Sequence, residues 1–180
     1  SRVKLMGRKG YYLYAEHNGF QMIQLPYQGL KYAMYVILPP KGADIDKMLP
    51  KLDEQMYHSA MDMLQQQEVR FFLPRFKAET SMLLNKALQN MGIKTAFTPA
   101  ADFHGIAEMG PLVLDQVKQK CYVEIAEKGT EAAAVTVAQV RMTSARPTQY
   151  VTMTVDRPYM FFIVDTQNSN VMFAGRVMNL

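Results

Sequence analysis

The chain has 180 residues, 49% hydrophobic and 11% aromatic, which supplies apolar side chain for a packed domain and rules out a disordered one. Its 20 basic and 16 acidic residues leave a net charge of +4, and the charges are scattered, so no basic stripe for nucleic acid is present. The single cysteine, Cys121, cannot close an internal disulfide, and no apolar run reaches the length of a membrane span.

The first strand-like run, Arg2 to Met6, has no entry or capping sequence before it, and no basic segment followed by an apolar one opens the chain. This predicts a piece of a longer chain. Three further runs rich in Tyr, Ile, Val and Phe cover Tyr11 to Glu16, Phe20 to Pro26 and Lys31 to Leu38. Turn signals at His17-Asn18-Gly19, Gln28-Gly29 and Pro39-Pro40-Lys41-Gly42 separate them, which predicts an antiparallel meander. From Ile45 to Gln67 the composition shifts to Met, Leu, Gln, Lys and Glu, and Met56, Ala60, Met63 and Leu64 recur at helical spacing, so one or two amphipathic helices are expected. Val69 to Phe76 returns to strand with an edge or bend at Pro74. Thr80 or Ser81 is the expected cap of a helix carrying Leu84, Ala87, Leu88 and Met91 on one face and ending at Gly92.

Leu112 to Ala126 is a long strand candidate, and its apolar surroundings predict a buried Cys121 thiol. Three last strands, Val151 to Val155, Tyr159 to Asp165 and Val171 to Val177, include a hairpin turn at Gln167-Asn168-Ser169-Asn170. The whole is strand-dominated with a few helices, an α+β fold.

Residues for enzymatic chemistry are missing from this pattern. His17, His58 and His104 lie far apart without a partner at metal-ligand spacing, so neither a metal nor any other cofactor is expected. No serine sits in a nucleophile elbow and no glycine loop precedes a helix. Asp44 with Asp46, and Asp53 with Glu54, fall where helix N-terminal charges belong.

The stretch from Glu127 to Arg146 is different. Small alanines beside Gly129 and Thr130 make poor core anchors, while Val135 to Val140 pairs readily with a sheet, so the segment reads equally as an exposed loop or a strand. At period two, Thr130, Ala132, Ala134, Thr136, Ala138 and Val140 share one face that is small enough to enter between two strands. Glu131 and Arg141 fall on the other face.

The run Glu127-Lys128-Gly129-Thr130-Glu131-Ala132-Ala133-Ala134 closely resembles the hinge of the serpin reactive loop. Val155 to Phe162 and Val171 to Val177 are similar to that family's C-terminal signature, and Asn90 to Ile106 to the segment before the fifth strand of its large sheet. The resemblance implies a partial serpin fold: 1–180 as the C-terminal half of a single domain, mostly antiparallel sheets with a few helices, a mobile reactive loop at about 127–146, and the N-terminal half outside this chain.

It also implies an inhibitor rather than an enzyme. A serine or cysteine protease attacks the loop, which then enters the large sheet. The small, proline-free hinge favours inhibition over a carrier or chaperone role, and a third reading is a fragment that works only with its N-terminal partner. Counting from Glu127 places the scissile bond at Thr143-Ser144, with Met142 or Arg141 as alternative residues before the cut. These three suit elastase-, chymotrypsin- and trypsin-like proteases respectively. An ion pair between Glu127 and Arg75 at the top of the sheet, and a secreted or extracytoplasmic location with the cytoplasm as the alternative, complete the expectation. Two departures stand out: Gln119 replaces a common histidine, and the chain stops at Asn179-Leu180 without the usual proline.

Overall fold

A computed structural model describes residues 5–49, 54–106, 112–126 and 150–179. They form two compact units, residues 1–76 with 125–180, and residues 77–124.

The first unit is built on a seven-stranded sheet of order β7-β4-β1-β2-β3-β8-β9. Its strands are β1 (Leu5–His17), β2 (Phe20–Pro26), β3 (Tyr32–Leu38), β4 (Gln65–Pro74), β7 (Val151–Thr154), β8 (Tyr159–Asp165) and β9 (Asn170–Val177). The predicted meander is present. Asn18 and Gly19 carry φ of 50° and 79° between the paired residues His17 and Phe20, the geometry of a two-residue hairpin loop that matches strand twist. All pairs are antiparallel except β4 with β7, which is parallel.

The inner strand β3 is buried on both faces, with Ala33, Met34, Tyr35, Val36 and Leu38 all in the core. One face is covered by helix α2 (Glu54–Asp62), whose end brings Met61 and the following Leu64 against Ala33, Tyr35 and Val164. The short helix α1 (Ile45–Met48) is started by Asp44, whose carboxylate accepts from the backbone N–H groups of Asp46 and Lys47, as expected of a helix N-terminal charge.

Two boundaries differ from expectation here. The break expected between Met6 and Tyr11 is absent, and β1 runs straight through Gly7 and Gly10. The Phe72 ring lies over Gly7, 2.8 Å from where a Cβ would stand, so the glycine admits an aromatic neighbour instead of making a turn. The helical stretch expected to reach Gln67 ends at Asp62, because Gln65, Gln66 and Gln67 pair with Tyr14, Leu13 and Tyr12 of β1.

The second unit holds a two-stranded sheet of β5 (Phe76–Leu83) and β6 (Lys118–Ile125), with helix α3 (Asn85–Asn90) and a 3-10 turn (Thr95–Phe97) between them. Lys77 meets Glu124, and the Leu84 N–H donates to the Val117 carbonyl, so the two strands run antiparallel. Thr80 and Ser81 do not cap a helix: both lie in β5, and α3 starts at Asn85. Asn85 has another task, donating to the Asp115 carbonyl and accepting from the Val117 N–H, which ties the return strand to the helix start. Gly92 ends the helix as expected, at φ 100°, with the Ile93 N–H reaching the Leu88 carbonyl. The strand expected from Leu112 begins only at Lys118; Leu114 and Val117 use their N–H groups on Ala96 and Asn85 instead of a ladder.

Candidate functional site

The candidate site is the segment between β6 and β7 and the structure that holds its two ends. Its residues Glu127, Gly129, Thr130, Glu131, Ala132, Ala133, Ala134, Arg141, Met142, Thr143 and Ser144 lie outside the described residues. The two anchors are described. On the N-terminal side β6 ends at Ile125, two residues before Glu127, and among the described residues this strand pairs with β5 alone.

The outer end of β6 is fixed by a small exposed network. Lys77 Nζ lies 3.0 Å from Glu124 Oε1, and the Tyr122 hydroxyl donates to Glu124 Oε2. The hydroxyl, and after it the Lys77 ammonium, hold the Glu124 carboxyl below the usual carboxylate range. Glu124, in turn, raises the Lys77 ammonium. Arg75, the expected partner of Glu127, is exposed at the bend between β4 and β5, where Pro74 ends one sheet and Phe76 opens the other. Gln119 is exposed on β6. Cys121 is only half-buried, a correction to the buried thiol expected, because β6 leaves much of both faces open.

On the C-terminal side the chain re-enters at Tyr150 and pairs as β7 along the edge of the seven-stranded sheet, Val69 with Val151 through Phe72 with Thr154. The Val155 N–H donates to the Phe72 carbonyl, extending that hold by one bond. Asp156 and Arg157 follow. Arg157 Nε donates to the buried Pro39 carbonyl at 2.7 Å and its Nη1 to Asp156 at 2.9 Å, joining the landmark after β7 to the turn after β3.

Beyond the loop, one cavity of about 600 Å³ lies between α2 and the sheet. It is lined mainly by Phe20, Met22, Ile37, Met48, Met56, Met61, Met63, Met160 and Phe162, with His17, His58 and Ser59 among its polar groups. No local pattern announces it, since its methionines come from α1, α2 and the residue after it, β2 and β8, and meet only in the fold. His104 has a neighbour that spacing did not reveal: its ring Nδ1 lies 2.6 Å from Asp102 Oδ1, on an exposed loop, and the bond lowers the Asp102 carboxyl. No group of three potential metal ligands gathers among the described residues. No helix among them is long and apolar enough to cross a membrane.

The sequence profile of the serpin (serine protease inhibitor) family matches residues 1–180, and the chain belongs to that family. It is 33% identical over 178 residues to an uncharacterised serpin-like protein of Thermococcus kodakarensis, covering 98% of this chain and 41% of that one. It is 36% identical over 164 residues to Iripin-3 of Ixodes ricinus, covering 90% and 41%. The thermophilic serpin tengpin in its native state superposes with a TM-score of 0.79 at 28% identity, over 100% of this chain and 47% of that one. Thyroxine-binding globulin in complex with thyroxine does so with a TM-score of 0.79 at 26% identity, over 98% and 46%. The chain thus spans less than half the length of these relatives and forms a partial serpin domain.

Proposed function

We propose that this chain is the C-terminal half of an inhibitory serpin, with the bait loop at about 127–146 hinged at Glu127 to Ala134. The observation that carries the reading is the position of β6: it ends two residues before Glu127 and keeps one edge without a described partner strand. A segment that turns back from β6 can add along that edge, antiparallel to the strand it has just left. The period-two face from Thr130 to Val140 is small or moderately apolar, which suits entry beside an existing strand.

In this reading the loop acts as a suicide substrate. The protease nucleophile attacks the Thr143 carbonyl carbon, the Ser144 amine leaves, and an acyl-enzyme ester remains on Thr143. The severed N-terminal part then inserts. About a dozen new ladder bonds at roughly 1 kcal/mol each, even halved for ordering entropy, supply several kcal/mol to deform the attached protease. Its oxyanion hole loses its geometry and the ester is not hydrolysed. The targets are serine proteases, with cysteine proteases a second class, met outside the cytoplasm.

The rest of the domain is the second partner in this reading. No described residue between 77 and 124 is buried, and Met82, Leu83, Met91, Ile93 and Tyr122 are exposed. A two-stranded sheet without a core is marginal by itself. The N-terminal half covers these side chains in the complete protein.

The test is incubation of the whole serpin with trypsin-, chymotrypsin- and elastase-like proteases. The expected result is a detergent-resistant adduct of summed mass, with mass spectrometry placing the cut at Thr143-Ser144. Loop cleavage without any adduct overturns the inhibitory reading. One observation favours a carrier as the second reading: the methionine-lined cavity, together with the likeness to thyroxine-binding globulin. Saturable binding of an apolar fluorescent probe, without any protease adduct, would establish that alternative.

A further inference from the structure

Lys9 of β1 and Arg70 of β4 stand directly opposite each other, and Thr152 of β7 continues the same row. Two like charges in a directly opposed pair destabilise a sheet. Their surroundings show a use for them. Lys9 Nζ lies 3.2 Å from Glu68 Oε1 and 4.4 Å from the centre of the Tyr150 ring, and the Arg70 guanidinium sits 5.2 Å from the centre of the Phe72 ring. Lys9, Arg70, Phe72 and Tyr150, with Gly7 and Arg8, line an open groove of about 460 Å³. Gly7 and Phe72 pair across β1 and β4, and a side chain at Gly7 would collide with the Phe72 ring. Lys9 and Arg70 against Glu68 leave this face of the sheet with one net positive charge.

The groove adjoins the end of the loop. Tyr150, one of its walls, is the first described residue after the loop. From Ser144 to Tyr150 is six residues, a leash of about 20 Å at full extension. That is shorter than the roughly 30 Å diameter of even a small domain. A protease working at the Thr143-Ser144 bond therefore has to lie against the surface that surrounds Tyr150.

We propose that the groove of Lys9 and Arg70 is an exosite for an acidic surface of the target protease, beside the protease active site, with Tyr150 and Phe72 as its aromatic contacts. This rests on the bait-loop reading. It adds that the rate of attack on the loop is set partly by a surface outside it. Rim charges of this kind act on the association rate, and they act more strongly at low salt.

The test compares two elastase-like proteases of the same cleavage specificity, one anionic and one cationic, acting on the whole serpin. The second-order rate of loop attack is the sum of adduct and cleaved product. In low salt the anionic enzyme is expected to attack Lys9→Gln/Arg70→Gln about tenfold more slowly than wild type, and Lys9→Glu/Arg70→Glu more slowly still. The loss should shrink in 0.5 M salt and be absent or reversed with the cationic enzyme. Arg70→Gln alone leaves the Lys9–Glu68 pair intact and guards against a folding artefact; Lys86→Glu, on α3, is the charge control. Equal rates for all variants, a loss indifferent to salt, or the same loss with Lys86→Glu overturns the exosite. The partition between adduct and cleaved product reports separately on inhibition: fast, charge-dependent cleavage without adduct sinks the inhibitor and keeps the exosite, whereas adduct at unchanged rates does the opposite.

Discussion

Lys77 and Glu124 bridge β5 and β6 at 3.0 Å, with Glu124 three residues before Glu127, where the proposed hinge begins. The bridge has a third member, Tyr122, whose hydroxyl is the larger cause of the lowered Glu124 carboxyl. Because that carboxyl titrates lower when folded, its contribution is complete above the unfolded pKa and disappears as pH falls through the folded one. Tyr122→Phe should raise the Glu124 pKa more than Lys77→Met does, read by NMR titration of the side-chain carboxyl. A Glu124 titration indifferent to both variants would disprove the network.

A tighter relationship holds between β8 and β9. A Cβ on Gly175 would stand 2.5 Å from Cζ of the buried Phe161, so Gly175→Ala has to displace a core ring. Overpacking of this kind costs about 1–3 kcal/mol. Urea unfolding of Gly175→Ala should show that loss, and Phe161→Leu in the same chain should relieve part of it. Equal stability of wild type and Gly175→Ala would mean the ring has room that the structure does not show.

Arg157 has a burden similar to a cap. Its Nε bond goes to a carbonyl 118 positions away, in a partly buried setting. Arg157→Met leaves the Pro39 carbonyl unpaired, at a cost of about 1.5–3 kcal/mol for a charge-assisted bond. Thermal unfolding measures it, and Arg157→Lys should recover little, because a lysine lacks the Nε position that reaches Pro39.

Residues 77–124 should exchange first. With no buried residue among those described there, amides of β5 and β6 in the isolated 180-residue chain are expected to exchange far faster than those of β2 and β3. Adding the remainder of the domain should slow them. Identical protection with and without it would contradict the shared-core reading.

The hinge is the direct test of insertion. Thr130→Arg or Ala132→Pro, in the whole serpin, should turn an inhibitor into a substrate: the adduct disappears and the cleaved product rises, with the rate of attack on the loop unchanged. An arginine on the entering face is too large and charged to bury, and a proline lacks the N–H that the ladder needs. Unchanged stoichiometry of inhibition would exclude insertion of this segment as the driving step.

Much of the first unit was legible in the residues. Asn18-Gly19 announced its hairpin because few other pairs tolerate positive φ twice in succession, and the strands on either side carry β-branched and aromatic residues. The bend at Pro74 was legible for a similar reason, since proline cannot donate to a ladder. The errors share one cause, the competition between local propensity and a distant partner. Gln65 to Gln67 have helical composition but meet an open edge of β1; Gly7 looks like a break until Phe72 covers it; Thr80 and Ser81 look like caps but lie in a strand fixed by β6.

The sequence by itself determined the family motifs, the β1–β2–β3 meander and a small, proline-free run from Thr130 to Ala134, because turn chemistry, period-two patterning and side-chain size are local properties of the chain. Only the tertiary structure decided that β6 has no second partner strand among the described residues and that cations from two different strands meet at Tyr150. Register brings together residues some sixty positions apart, such as Lys9 and Arg70, and no local rule encodes that pairing.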